Sequence, residues 1–344
     1  MPMHALTSLG LRFSRALLLI GLILYSFASA RGAAISTVPL GNAGNAADTT
    51  GYGAVAYNYR IGTTEVTNAQ YVAFLNEKAK SDPLSLFDSN MSSDARGGIT
   101  RSGSDGSYIY APKTDMGNKP VNYVSWYDSI RFANWLNNGQ GTGDTETGAY
   151  TLLGGTATPS NGLSITRNAG ATWWLPSENE WYKAAYHQPA ATGGDADDYW
   201  RYATASNSVP TIATANSAGE ISNPGPNVAN YLSGADWNAL DGNVTTVGSA
   251  GLFSDSFYGT SDQGGNVWEW NDTEISRSLW GLRGGSFDFN AGALRASDQY
   301  LGNPTVEDAS IGFRVATVPE PSTYVMAAMG AFALLAVGRR KIRN

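Results

Sequence analysis

The sequence predicts a loop-rich, aromatic-packed globule with short strands and a few capped helices rather than a helical bundle. Forty glycines among 344 residues disfavour long regular helices. Ten tryptophans bring much apolar area to a chain in which only 15% of residues are charged. With 42% hydrophobic residues the chain can bury a substantial core, in one large domain or two small ones. It has no cysteine, so disulfides, thiolate metal sites and cysteine nucleophiles are excluded.

Both ends carry addresses. Arg12 and Arg15, the apolar run 16–27 and then Ala28-Ser29-Ala30 have the layout of an export signal with a small-residue cleavage site, so the mature chain is expected to start near Arg31. At the other end Val318-Pro319-Glu320-Pro321-Ser322 precedes an apolar run from Tyr324 to Gly338 and the basic residues Arg339, Arg340, Lys341 and Arg343. As a helix that run covers only about 22 Å, less than a usual hydrocarbon core. This layout closely resembles the PEP-CTERM sorting signal that exosortase systems of Gram-negative bacteria process. It implies exosortase-type machinery as a partner, transient membrane association through the C-terminal helix, and a cell-envelope, cell-surface or matrix location. Without the two end segments 16 basic and 28 acidic residues remain, a net charge of −12. A surface that acidic repels phosphate backbones, so nucleic acid is not expected as a partner.

In chain order, 31–54 reads as a linker or an irregular first strand. Tyr57 to Ile61 reads as a strand. Thr67 is placed to cap a helix carrying Tyr71, Phe74 and Leu75. From Asp88 to Ser107 the composition turns to Gly, Ser and Asp. There Asp88, Asn90, Ser92 and Asp94 alternate, but the glycine and closing glutamate of an EF-hand are missing, so the stretch reads as a solvated surface loop. Pro120 to Val124 reads as a strand leading into Ser125, the cap of a second helix with Ile130, Ala133, Trp135 and Leu136. After a Gly/Thr-rich excursion over 137–168, Trp173 to Pro176 ends a strand, and Ser177 with Glu180 makes a capping box before Trp181, Ala184 and Ala185. His187 closes that third helix, where capping or packing suits it better than base catalysis.

The stretch Asp262 to Trp270, DQGGNVWEW, holds the clearest chemistry. Two carboxylates flank a Gly-Gly pair that lets the backbone turn sharply, an arrangement suited to a hard cation and equally to a tight turn into a core strand. Trp268 and Trp270 alternate with Glu269, as in a strand that sends both rings to one face and the acid to the other.

Six motifs then stand in one order: Tyr59-Arg60-Ile61-Gly62 with Glu65-Val66-Thr67-Asn68; Pro120 to Trp126; Leu175-Pro176-Ser177 with Glu180-Trp181; Gly265 to Trp270; Arg283-Gly284-Gly285-Ser286; and Gly312-Phe313-Arg314. Together they resemble the formylglycine-generating enzyme (sulfatase-modifying factor) family. The resemblance implies a single α+β domain, related to C-type lectins, with much irregular structure and bound calcium. The expected organisation is a signal peptide over 1–30, a linker over 31–54, the domain over 55–317 and the sorting signal over 318–344.

By position, the resemblance implies one calcium site from the side chains of Asp262 and Glu269 with the carbonyls of Gly265 and Val267. It implies a second from Asn230 and Asp241 with the carbonyls of Tyr231 and Asn243. Trp268 and Ser286 would line the groove that in the family binds an extended peptide. The chain departs from the family where its enzymes carry the copper-binding cysteine pair, after Gly-Gly-Ser. Here that stretch is Phe287-Asp288-Phe289-Asn290-Ala291-Gly292-Ala293-Leu294. Monovalent copper needs soft sulfur ligands, so formylglycine chemistry is not expected. A single His187 after the signal cannot make the histidine-iron centre of the related sulfoxide synthases either. The expectation is therefore a calcium-binding recognition or structural protein without catalytic residues, with a peptide or glycan as ligand. The alternative is a family enzyme, oxidoreductase or otherwise metal-dependent, with a centre the motifs do not mark.

Overall fold

Two small sheets form where buried aromatic and β-branched residues recur between glycine-rich turns. The computed structural model describes residues 32–276 and 278–319; the expected signal peptide and apolar C-terminal helix lie outside them. In chain order the elements are β1 (Thr37–Leu40), β2 (Tyr59–Gly62), α1 (Asn68–Lys78), α2 (Asn90–Ser93), β3 (Ile99–Ser102), β4 (Ile109–Pro112), α3 (Trp126–Asn137), β5 (Trp173–Trp174), α4 (Glu178–Tyr186), β6 (Thr211–Ile212), β7 (Val228–Ala229), β8 (Trp268–Ser276), β9 (Leu279–Arg283), β10 (Tyr300–Gly302), β11 (Ile311–Phe313) and β12 (Ala316–Thr317). One sheet runs β1-β2-β12-β5 and the other β10-β9-β8-β11; hairpin β3-β4 and the pair β6-β7 stand apart. This is the α+β architecture with much irregular chain.

The first sheet joins the two ends of the domain, because β12 pairs antiparallel with both β2 and β5, setting Thr317 opposite Arg60 and Trp173. The segment before Tyr59 contributes β1, with Val38 opposite Ile61. In the second sheet β8 pairs parallel with β11, Glu269 opposite Gly312, and antiparallel with β9.

Each of the three longer helices starts at a reciprocal capping box: Thr67 with Gln70, Ser125 with Asp128, and Ser177 with Glu180. The hydroxyl and the third side chain satisfy two orphan N–H groups at once, so the sequence signal and the helix start coincide. Tyr71, Phe74 and Leu75, and Ile130, Ala133, Trp135 and Leu136, are all buried. Trp126 of α3 lies 4.6 Å, centroid to centroid, from Trp280 of β9, and its Nε1 donates to the Asn271 carbonyl at 3.0 Å, which fixes α3 to the second sheet.

Two sequence expectations differ from the structure. Pro120 to Val124 is not a regular strand; only Pro120 makes an isolated bridge, with Thr67. Pro120 lacks a donor and Tyr123 adopts φ 55°, so the chain cannot stay in one ladder. Its amides divide instead, Val121 donating to the Val66 carbonyl and Tyr123 to that of Asp308. Nor is 88–107 wholly a surface loop: α2 buries Met91, and β3 buries Ile99 against the core.

Candidate metal and recognition site

The turn before β8 uses left-handed backbone at Asp262 (φ 63°), Gly265 (φ 93°) and Asn266 (φ 61°). At Gly265 glycine is required, since a Cβ there would lie 2.1 Å from the Asn230 carbonyl oxygen. The turn brings together the chain segments that carry both expected ligand sets. The Asn266 amide N–H donates to the Asn230 carbonyl at 2.8 Å, and its side-chain oxygen accepts from the Thr245 N–H at 2.9 Å.

In the first set, the half-buried Asp262 accepts from the Gly248 N–H at 2.5 Å. Burial chiefly pushes it up to about 6, with the fields of Asp255 and Glu269 acting the same way and Arg314 opposing. Glu269 is fully committed. Its two oxygens accept from the Arg314 guanidinium, both at 2.6 Å, and one also accepts from Trp181 Nε1 at 2.7 Å. The alternation expected for β8 is present: Trp268 and Trp270 pack toward β10, while Glu269 faces Trp181 and Arg314.

Glu65 joins this cluster, and sequence reasoning gave it no role. One of its oxygens accepts from the Asn266 side-chain amide at 2.9 Å, and the other is buried with no partner. Burial, then the fields of Asp262 and Glu269, push it well above the ordinary carboxylate range. The available signal was its place in the Glu65-Val66-Thr67-Asn68 motif, between β2 and the Thr67 cap.

In the second set, the Asn230 amide nitrogen donates to the Asn243 carbonyl at 2.9 Å and lies 3.2 Å from Thr245 Oγ1. Its side-chain oxygen is buried without a partner. The Tyr231 carbonyl accepts from the Gly234 N–H at 3.2 Å. Asp241 is exposed, and its carbonyl accepts from Arg96 at 3.0 Å.

The unpartnered oxygens of Asn230 and Glu65 suit a hard cation, which takes amide and carboxylate oxygen. Glu269 suits it less, because a cation there must compete with a two-pronged guanidinium. Among the described residues no three His, Cys, Asp or Glu side chains are grouped as a metal-holding set.

Trp268 and Ser286 are both buried. The edge of Phe289 meets the Trp268 ring at 5.4 Å and Tyr300 lies over it at 5.6 Å, while Ser286 donates to Asp288 at 2.6 Å. Trp268 Nε1 has no partner. Beside them Leu232 and Ser233 take φ 55° and 51°, a left-handed pair held by their N–H groups donating to the carbonyls of Phe289 and Phe287 at 2.8 and 2.7 Å. Consecutive non-glycine residues in that region are costly and mark built surfaces. Leu232, Phe289 and Tyr300 are exposed at 52%, 38% and 53%, an apolar patch over Trp268 that the motifs did not mark. Of these, the exposed Phe289 lies in the segment after Gly-Gly-Ser.

His187 closes α4. Its ring stacks on Tyr258, with Nδ1 2.8 Å from the tyrosine hydroxyl, and burial lowers it to about 4. It is a neutral packing residue rather than a base aimed at a cavity.

These sheets, caps and the buried Glu269–Arg314 fork define the class, a small irregular α+β domain closed by strands from its two ends. Residues 31–318 match the family model described as Sulfatase-modifying factor enzyme 1-like domain, and the chain belongs to that family. Residues 317–341 match the PEP-CTERM protein-sorting motif, which marks the protein for export and surface sorting in Gram-negative bacteria and for recognition by exosortase machinery. No curated protein matches the chain. Among solved structures, CarF is 22% identical over 83% of this chain and 99% of its own, with a TM-score of 0.53, a likeness of fold. Treponema denticola variable protein 1 is 21% identical over 84% and 93%, with a TM-score of 0.46. PvdO from Pseudomonas aeruginosa is 18% identical over 84% and 92%, with a TM-score of 0.42. Among the described residues no helix is long and apolar enough to cross a membrane.

Proposed function

We propose that the exported domain is a non-enzymatic, calcium-binding recognition protein of the cell surface or extracellular matrix. The observation that carries this reading is the stretch from Phe287 to Leu294. Where the family's enzymes hold copper on two thiolates, this stretch has no cysteine or methionine, buries Leu294 and turns Phe289 outward beside Tyr300 and Leu232. An aromatic surface of this kind binds through ring faces and apolar area, which suits an extended peptide or a glycan. Calcium would be held by Asn230, Asp241 and the carbonyls of Tyr231 and Asn243, and by Asp262 and the carbonyls of Gly265 and Val267, with Glu269 joining that second set only in exchange for its bonds to Arg314. Its part would be to brace the 230–243 and 262–269 segments beneath the patch. The core charge of −12 favours cations and disfavours nucleic acid. The signal over 1–30 and a processed C-terminal helix complete the reading, with the domain released or displayed outside the cell.

Peptide and glycan arrays probed with the mature protein, with and without calcium, test it. Tyr300→Ala is expected to weaken binding by about tenfold, the effect of removing a central aromatic anchor. The same change is expected to alter stability by less than about 1 kcal/mol, because the ring is half exposed. Binding by the variant as tight as that of the parent would contradict the assignment of the patch.

A further inference from the structure

Away from this patch, the loop over 251–258 carries the two most exposed large apolar side chains among the described residues. Leu252 and Phe253 are exposed at 86% and 79%, and Phe257 is exposed as well. Leu252 and Phe253 stand on a single 3-10 turn, Leu252–Ser254, that the rest of the domain holds in place. The buried Ser254 hydroxyl donates to the Gly225 carbonyl at 2.6 Å and accepts from the Val228 N–H at 2.7 Å, so the turn is fixed to β7. The Phe253 carbonyl accepts from the Asn227 N–H at 3.4 Å, and the Asn227 side-chain amide donates to the Val209 carbonyl at 3.2 Å, which brings the exposed Val209 beside the turn. A lone exposed leucine is ordinary. Adjacent large apolar side chains held out on a braced turn are a contact surface.

Charge is kept off this face. Between 202 and 235 the chain has one charged residue, Glu220, and between 242 and 261 one, Asp255. Asp255 is half-buried, with one carboxylate oxygen accepting from the Ser261 hydroxyl at 2.6 Å. On a core of net charge −12, a face without charge attracts neither a basic protein nor an anionic polymer, and suits an apolar medium.

Such a medium lies near by the layout of the chain. Tyr258 stacks on His187, and His187 Nε2 lies 3.4 Å from the side-chain nitrogen of Asn42, two residues past β1. In the first sheet Leu40 pairs with Tyr59 and Thr317 with Arg60, so β1 ends and β12 leaves on the same side as Tyr258. Only residues 319–323 then separate Val318 from the apolar run that starts at Tyr324, a reach of about 20 Å at full extension.

We propose that the Leu252–Phe253 turn, together with Phe257, is a lipid-docking tip: while the C-terminal run is held in a bilayer, the tip enters the apolar boundary of the same bilayer and fixes the orientation of the domain on it. The aromatic patch over Trp268 has no part in this contact, so the two surfaces are tested separately.

The chain has no cysteine, so Leu252→Cys or Phe253→Cys takes a single environment-sensitive dye. The full chain is reconstituted through its C-terminal run into vesicles of phosphatidylethanolamine and phosphatidylcholine. A dye at either position is expected to shift its emission to the blue and to be quenched by a lipid-borne quencher. A dye at Ser104→Cys, on the exposed turn between β3 and β4, is expected to do neither. Phe253→Asp placed in the Leu252→Cys chain is expected to abolish both effects, because a charge at the tip must stay in water. Both side chains are largely in solvent, so these changes leave the fold intact. Aqueous emission on vesicles at 252 and 253 would overturn the proposal, as would equal quenching at 104. A blue shift without vesicles would overturn it too: one that grows with protein concentration would mean that a second copy covers the tip, and one independent of concentration that the chain's own apolar run does.

Discussion

Arg314→Met is expected to cost the domain about 3–5 kcal/mol, a large share of the stability of a domain this size. Arg314 and Glu269 are both fully buried and joined by two hydrogen bonds of 2.6 Å. Arg314 also donates to the carbonyls of Gly62 and Ser261, each at 3.0 Å. Methionine fills similar volume but leaves Glu269 charged in a low-dielectric site beside Asp262 and Glu65, and strands two carbonyls. The pair joins β8 to the segment that closes the first sheet, so the loss is expected to be global rather than local. Urea unfolding of the parent and the variant gives the number. A cost below about 1 kcal/mol would mean that the pair is solvated and contributes as a surface bridge does.

Trp126→Ala is expected to cost about 3–5 kcal/mol by a different route, the loss of a large buried ring and the cavity left behind. The ring bridges α3 and the second sheet through Trp280, and its N–H is the partner of the Asn271 carbonyl. Asn271 in turn donates to Glu178, whose carboxylate pairs with Arg283. Loosening Trp126 therefore disturbs a buried polar network as well as apolar packing. Thermal unfolding followed by near-ultraviolet circular dichroism measures it; a midpoint equal to that of the parent would show that α3 does not depend on this contact.

The starts of the helices were legible because capping is local chemistry: Thr67, Ser125 and Ser177 sit three residues before side chains that reach back to them. The Trp-Glu-Trp alternation of β8 was legible for the same reason, since strand period is written in adjacent residues. What was not legible lies in contacts between residues far apart in the chain. Thr317 pairs with Arg60, and Arg314 occupies Glu269, with nothing in either segment to name its partner. The expected strand at Pro120 to Val124 was lost to a missing donor and a left-handed Tyr123. At the site, spacing brought out Asp262 and Glu269 and the family resemblance added Asn230, but neither gave a role to Glu65, whose unpartnered oxygen matters only once Asn266 turns toward it. The Leu232–Ser233 turn and the outward Phe289 are likewise set by backbone pairing of Leu232 with Phe289 and Ser233 with Phe287, far apart in the chain, rather than by local composition.

The reading of this domain as a calcium-braced recognition surface without redox chemistry is tested most directly by elemental analysis of the protein purified without chelator. Calcium bound in stoichiometric amount, with copper and iron absent, is the predicted result. Stoichiometric copper or iron on a chain without a single cysteine would contradict it.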